Sequence, residues 1–487
     1  MLPFENIIII DRSSTTPIYR QVALAIINAI CDSVLKPGSH LPSSRELSKT
    51  LSVHRKTVIA AYDELQSQDW ITVVPRKYVA VSACIPVLKA QKWSQPVRRV
   101  TYGEDLSVGY KTIATDLLSR STDHLKTLMI DDGYPDIRLS PIDDLLKTYR
   151  TFTNRKTISK IANIGTAQGV LKLREQLANY LIESRGLAMS AEHLLITHGA
   201  QMSIYLVAQL LLNEKSSIIV GHPNYPLASQ VFKATGAEVI PVHVDAEGID
   251  TDAIEAWCKV KNIEAIYVIP HHHYPTTVTL SVERRLKLLA LAEKYAFIII
   301  EDDYDYDYHY TSSPYLPLAS GHHRGNVIYI GSFSKILDPS IRIGFMVAPQ
   351  RFIEQCVAYR RMIDVGGDGY MQHALAELIS DGELKRHLKK ARKCYRLRRD
   401  YLDQLLRERL SSYVTYRLPA GGMAIWLWLN PEYMIEDLLL NCSLQIVRVD
   451  VEQNAFRFGF ASLTQIELNQ AVEELEKAFK MIELNKS

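Results

Sequence analysis

Apolar residues at Ile18, Val22, Ala25, Ile26, Ala29 and Ile30 recur at the spacing of a helix that buries one face. Pro17 stands at the first turn of that helix, where a missing N–H is harmless. Pro37-Gly38 breaks the pattern, and Ser43-x-x-Glu46 then has the form of a capping box and predicts a short helix over 45–51. In a third helix Val58, Ala61, Tyr62 and Leu65 turn inward while His54, Arg55, Lys56 and Thr57 crowd the N-terminal turn. After Trp70 the alternation in ITVVPRKYVAVS predicts two short strands around Pro75-Arg76-Lys77, the outline of a small wing.

Periodicity is poor over 83–122, which mixes Pro86, Pro96, Gly103 and Gly109 with basic residues and reads as a linker. From Asp123 onward, strand-like runs such as HLLIT, SIIVG, EAIYVIP, FIIIED and NVIYIGS alternate with amphipathic helices. The alternation predicts an α/β domain with a mostly parallel sheet covered on both faces and a small C-terminal subdomain. Parallel sheets place ligands at the carboxyl ends of their strands. Polar clusters follow these strands: THGAQ at 197, GHPNYP at 221, PHHHYPTT at 270, EDDYD at 301 and SFSK at 332.

At 487 residues the chain is too long for one core and divides into a module over 12–82, the linker, and a module over 123–487. Its apolar runs, such as Ile7–Ile10 and Phe297–Ile300, are strand-sized, which predicts no membrane span, no secretion signal and a cytoplasmic location. The six cysteines form no C-x-x-C pair, so neither a disulfide framework nor a zinc site is suggested. Net charge is +2, yet residues 1–100 hold 13 Lys and Arg against 7 Asp and Glu, which is +6 and leaves −4 for the rest. A basic front module suits a polyanionic partner.

That module has the order of a helix-turn-helix whose last helix enters a major groove of double-stranded DNA. Ser43, Ser44, Arg45 and Lys77 are the candidates for phosphate contacts, and His54, Arg55, Lys56 and Thr57 for base edges. The competing reading is a helical bundle with a solvated basic face. The stretch from PIYRQ through LKPGSHLPSSRELSKTLSVHRKTVIAAYDELQSQDWI resembles the winged helix-turn-helix of the GntR superfamily, most distinctively at Pro37 to Arg45. The wing departs from the family's Gly-x-Gly tip, and His54 and Lys56 stand where many members have Ser and Asn, so the resemblance implies DNA binding without implying an operator sequence.

In the second module Lys335 sits between Ser332 and Ser334 just after an apolar strand, with Arg342 downstream. A lysine so placed can form a Schiff base with pyridoxal phosphate while the hydroxyls and Arg342 hold the phosphate. Asp302 has the character needed opposite a pyridine nitrogen. Tyr304 can donate to the ring oxygen and Tyr225 can stack on the ring face. The amides of Gly199, Ala200 and Gln201 open a helix and suit the phosphate, and Arg457 is the candidate for a substrate or effector carboxylate. A metal cluster at His271–His273 and a calcium loop at Glu301–Tyr310 are weighed against this. Three adjacent histidines on an extended segment diverge, and the acidic run lacks the loop's Gly and terminal Glu, so no metal is expected.

From about Asp132 onward the module resembles a fold type I aminotransferase domain, through DDGYPDIRLSP, GVLKLREQLANYLIESRG, THGAQ, EDDYD and SFSKILDPSIRIG. The two resemblances together are those of the MocR subgroup of GntR regulators. They imply Lys335 as the Schiff-base lysine, Asp302 as the pyridine partner, Tyr304 and Tyr225 at the ring, Ser332 and Arg342 at the phosphate, Arg457 at a carboxylate, and a homodimer. The chain departs from the family at Gly221, at Thr277, where a Gly is usual, and in having no arginine from His222 to Phe232. The expectation is a regulator that senses pyridoxal 5′-phosphate or an amino compound. The alternatives are a working aminotransferase with a DNA-binding head and a scaffold without cofactor chemistry.

Overall fold

The computed structural model describes residues 3–75, 77–85, 108–109, 128–153, 166–310 and 315–486. Most of the expected linker over 83–122 lies outside the described residues. The chain forms two compact units, 1–112 and 113–487.

In the first unit, helices α1 (Phe4–Ile7), α2 (Ile18–Cys31), α3 (Ser44–Thr50) and α4 (Arg55–Ser67) enclose one apolar core with strands β1 (His40–Leu41), β2 (Ile71–Val74) and β3 (Tyr78–Val81). Phe4 and Ile8 are buried in that core beside Val22, Ile26, Leu47, Val58 and Leu65, so it reaches further toward the N-terminus than residue 12. Helix α3 starts one residue before the expected position because Ser43 caps it reciprocally: Ser43 Oγ accepts from Glu46 N at 3.3 Å and Glu46 Oε2 accepts from Ser43 N at 2.9 Å. The three strands lie antiparallel in the order β1-β3-β2. The turn between β2 and β3 closes through Lys77 N donating to Val74 O at 3.0 Å, and Arg76 falls outside the described residues. Strand β1 was not legible, since two residues carry no period.

The second unit opens with β4 (Met129–Ile130). Its eight-stranded sheet comprises β5 (Leu194–Thr197), β6 (Ser217–His222), β7 (Glu238–Asp245), β8 (Gly248–Ile249), β9 (Ala265–Val268), β10 (Ile298–Asp302), β11 (Val327–Ser332) and β12 (Gly344–Val347), in the order β5-β12-β11-β10-β9-β6-β7-β8. The pairs β11–β10, β10–β9, β9–β6 and β6–β7 are parallel; β12 and β8 run against their neighbours. Alternate side chains feed separate cores, Ile218, Ile300 and Ile328 on one face and Ile219, Ile299 and Val327 on the other, as expected of strands covered on both sides.

The C-terminal subdomain is an antiparallel sheet of β13 (Val414–Tyr416), β14 (Ala424–Leu429), β16 (Arg448–Asp450) and β17 (Ala455–Gly459), while β15 (Gln445–Ile446) pairs in parallel with β4. The start of the unit is therefore tied to its end. No helix among the described residues is long and apolar enough to cross a membrane.

Candidate functional site

Because β5, β6, β9, β10 and β11 share one direction, their carboxyl ends lie along one edge of the sheet, the position at which open α/β sheets bind ligands. A cavity of about 440 Å³ lies there, lined by Ala200, Gln201, Tyr225, Tyr274, Asp302, Tyr304, Ser332, Ser334, Lys335 and Arg342 together with Asp132 and Tyr134. Nine of the candidates named from sequence thus meet in one space. A second cavity of about 410 Å³, beside His243, Arg417 and Trp428, holds none of these groups.

The turn between β11 and β12 supplies the basic residues. Tyr308 OH donates to Lys335 O at 3.1 Å and fixes the lysine backbone. The Lys335 amine donates to Gly133 O at 2.8 Å and sits 4.4 Å above the Tyr134 ring. Burial pulls its pKa below the ordinary lysine value, against the opposing charge of Asp132. Arg342, at φ 52°, donates from Nη2 to His198 O at 2.9 Å.

Gly199 is the cap of the helix Ala200–Leu211 and does not itself line the cavity. Its φ of 83° suits glycine. A Cβ on the neighbouring Gly344 would come within 2.5 Å of the Gly199 carbonyl carbon, so that strand and turn meet backbone to backbone. The first helical amides, Arg342 and the two serine hydroxyls are donors of the kind that an anion needs. Ser332 Oγ already accepts from Ser334 N at 3.1 Å.

Asp302, at the end of β10, is buried; its Oδ2 accepts from Tyr267 OH at 2.6 Å and its Oδ1 has no hydrogen-bond partner among the described residues. Burial, with the charges of Asp303 and Asp305, raises its pKa to about 7. A buried carboxyl oxygen without a protein partner, at the wall of the cavity that Lys335 lines, suits the N–H of a pyridinium, and the residues fit pyridoxal phosphate. Tyr225 lines the cavity edge-on to Tyr274, with ring centroids 5.5 Å apart, and burial pushes its pKa up to about 12.

Two placements differ from the expected pattern. Tyr304 lines the cavity, yet its hydroxyl donates to His272 O at 2.9 Å and accepts from Arg457 Nη2 at 3.2 Å. Arg457 is 1% exposed and stands behind the lining residues. It donates from Nη1 to Pro275 O at 2.7 Å, and its Nε lies 3.2 Å from Asp132 Oδ1.

Two of the histidines pair with the acidic run, and the other members of both runs find partners elsewhere in the fold. His271 Nδ1 lies 3.3 Å from Asp303, His272 Nδ1 lies 2.9 Å from Asp305, and His273 Nε2 meets Pro223 O at 2.9 Å. Asp307 pairs with Arg185 at 2.7 Å, and Glu301 accepts from the amides of Leu318 and Ala319.

Sequence reasoning gave no role to Asp132, Tyr134, Tyr267 or Tyr274. Tyr267 carries the clearest missed signal, since a tyrosine in a strand buried on both faces must find a partner for its hydroxyl.

In the first unit Arg45, His54, Arg55, Lys56 and Lys77 are exposed and Thr57 is half-buried. Ser43 is held in its capping box, and His54 caps α4, its Nδ1 accepting from Lys56 N at 3.2 Å. Ser44 Oγ accepts from Arg55 Nε at 3.3 Å, linking α3 to α4.

Comparison with known proteins matches residues 137–475 to the family described as aminotransferase class I and II, and residues 18–81 to bacterial regulatory proteins of the gntR family. The HTH-type transcriptional regulator YisV of Bacillus subtilis, itself uncharacterized, is 29% identical over 425 residues, 85% of each chain. A probable rhizopine catabolism regulatory protein, MocR, of Rhizobium meliloti is 27% identical over 86% of this chain and 83% of its own. The crystal structure of a multiple substrate aminotransferase from Thermococcus profundus superposes with a TM-score of 0.70 at 26% identity, covering 80% of this chain and 99% of that one. The chain belongs to the aminotransferase class I and II family, with pyridoxal 5′-phosphate as its cofactor, and joins that domain to a GntR-type DNA-binding domain in the arrangement of the MocR transcriptional regulators.

Proposed function

We propose that the chain regulates transcription by coupling occupancy of the cavity at Lys335 to the DNA affinity of its front module. The observation that carries this reading is the Oδ1 of buried Asp302, unpartnered among the described residues, in the cavity that Lys335 lines. In this reading Asp302 holds the cofactor's pyridine nitrogen, and Ser332, Ser334, Arg342 and the amides of Ala200 and Gln201 hold its phosphate. Tyr225 and Tyr304 wall the ring. When bound, the cofactor supplies an aldehyde that condenses with primary amines, and Lys335 presents an amine whose lowered pKa favours the nucleophilic form. The effector is the cofactor itself or an amino compound that competes with Lys335.

On the DNA side Arg45 and Lys77 neutralise phosphates, the first turn of α4 from His54 to Thr57 faces base edges, and two copies of the chain read two half-sites. The fit of the second unit to a free-standing aminotransferase favours residual turnover as a second reading. Sustained keto-acid production from an amino donor would support it. The test of the first is electrophoretic shift of the DNA upstream of the chain's own gene, with and without pyridoxal 5′-phosphate. The expected outcome is a yellow protein whose shift responds to the cofactor, and a Lys335→Ala variant that lacks both the visible absorbance and the response. A wild type that stays colourless with added cofactor overturns the reading.

A further inference from the structure

The turn Asp131-Asp132-Gly133-Tyr134 is firmly built. Gly133 adopts φ 78°, the amides of Gly133 and Tyr134 donate to Asp131 Oδ1 at 2.7 and 3.0 Å, and the Ser462 hydroxyl donates to the other Asp131 oxygen. This construction sets Asp132 against Arg457, and Tyr274 OH donates to Asp132 Oδ2 at 2.8 Å. Every nitrogen of Arg457 thereby lies near a protein oxygen: Asp132 at Nε, Pro275 at Nη1 and Tyr304 at Nη2. Asp132 and Tyr304 line the cavity and Arg457 does not. The arginine expected to receive a ligand's carboxylate therefore already has a carboxylate of its own chain 3.2 Å from its Nε, an ion pair without hydrogen-bond alignment.

We infer that Asp132 sets the class of ligand: the cavity takes primary amines whose amine-bearing carbon carries no carboxylate and discriminates against α-amino acids. The inference rests on the reading of this cavity as the cofactor site. A single carbon separates the amine of an α-amino acid from its carboxylate, so a ligand amine that takes the place of Lys335 brings that carboxylate into the space that Asp132 lines. Two like charges in a site sheltered from water repel strongly. Drawing Arg457 toward the ligand would leave the Asp132 carboxylate short of its charge partner. Arg342, the arginine that does line the cavity, is engaged with His198 O next to the cap of the helix Ala200–Leu211, on the phosphate side in that reading. A ligand without the carboxylate meets neither difficulty.

Ethylamine and L-alanine differ only by that carboxylate and make the test. The full chain, loaded with pyridoxal 5′-phosphate, is titrated with each by calorimetry, as wild type, as Asp132→Asn and as Asp132→Ala. Cofactor absorbance before titration and circular dichroism verify that each protein is loaded and folded. The wild type is expected to bind L-alanine about ten-fold or more weakly than ethylamine, the scale of a like-charge contact, and both variants are expected to close that gap through a gain for L-alanine. Equal affinity of the wild type for the two probes overturns the inference, as does a gap that survives in a folded, loaded variant. A wild type that loads with cofactor yet binds neither probe overturns it alone. A wild type that takes up no cofactor overturns it together with the reading of the cavity, and the starting absorbance separates these two failures.

Discussion

Asp302 pits the folded chain's stability against its ligand. Its pKa is raised from 3.8 to about 7, chiefly by burial, so the stability it contributes is present below pH 4 and is lost as pH rises toward 7. Above that pH the ionised carboxylate is buried with one oxygen unpartnered, a penalty on the order of a few kcal/mol. Asp302→Asn keeps an acceptor for Tyr267 and removes the charge. The cofactor-free variant is expected to melt several degrees above the wild type at pH 8, with the gap shrinking as pH falls from 7 to 5, while its affinity for pyridoxal 5′-phosphate falls at least about ten-fold. Thermal melts across pH and equilibrium dialysis check the two halves. Glu301, raised to about 8 by burial, adds the same slope to both proteins and cancels in the comparison. Asp302 and Lys335 were legible in the sequence because each is a charged residue at or just past the end of an apolar strand. Asp132 was not, because DDGY reads equally as a turn, and only the fold brings it to β17, more than three hundred residues away.

Among the elements, the meeting of β12 with the turn before the helix Ala200–Leu211 has no slack. A Cβ at Gly344 would stand 2.5 Å from the Gly199 carbonyl carbon and 2.8 Å from Ala200 N, and backbone cannot swing aside as a side chain can. Gly344→Ala is expected to cost about 1–3 kcal/mol of stability and to lower affinity for pyridoxal 5′-phosphate and inorganic phosphate alike, because it displaces the amides next to Arg342; melts and competition titrations measure both. In the first unit the two bonds of the capping box commit Ser43 to α3. Ser43→Ala is expected to lose about 1 kcal/mol and to leave the salt dependence of DNA binding unchanged, whereas Arg45→Ala should reduce the logarithmic salt slope by about one while leaving the melt in place. A Ser43→Ala protein with unaltered melting and weaker DNA binding at an unchanged slope would show that the serine serves the phosphate. Elements were legible to the degree that they carried a period. Helices α2–α4 and the buried parallel strands announced themselves through repeated apolar spacing, while β1, β4 and β15, two residues each, hold no repeat and exist only through their pairing partners.

For the whole molecule the proposed function reduces to one quantity, the coupling free energy between cavity and DNA. Linkage makes that quantity reciprocal: if occupancy of the cavity changes DNA affinity by a given factor, saturating DNA must change cofactor affinity by the same factor, whatever rearrangement carries it. Regulatory couplings fall at about 1–3 kcal/mol, roughly 5–150-fold, and are measurable from either side. The expectation is that DNA affinity measured at zero and at saturating pyridoxal 5′-phosphate, and cofactor affinity measured at zero and at saturating operator, give matching factors within that range. Salt must be held constant, because the front module is basic and each phosphate contact makes affinity fall steeply with ionic strength. A chain that binds both ligands with factors of one in each direction would be a DNA-binding protein fused to an independent cofactor domain, and the regulatory reading would fail although both sites were real. Lys335→Ala sharpens the comparison. If the coupling runs through the reactive amine, the variant's two factors both collapse toward one even where cofactor concentration is raised to restore occupancy. If occupancy alone suffices, they return.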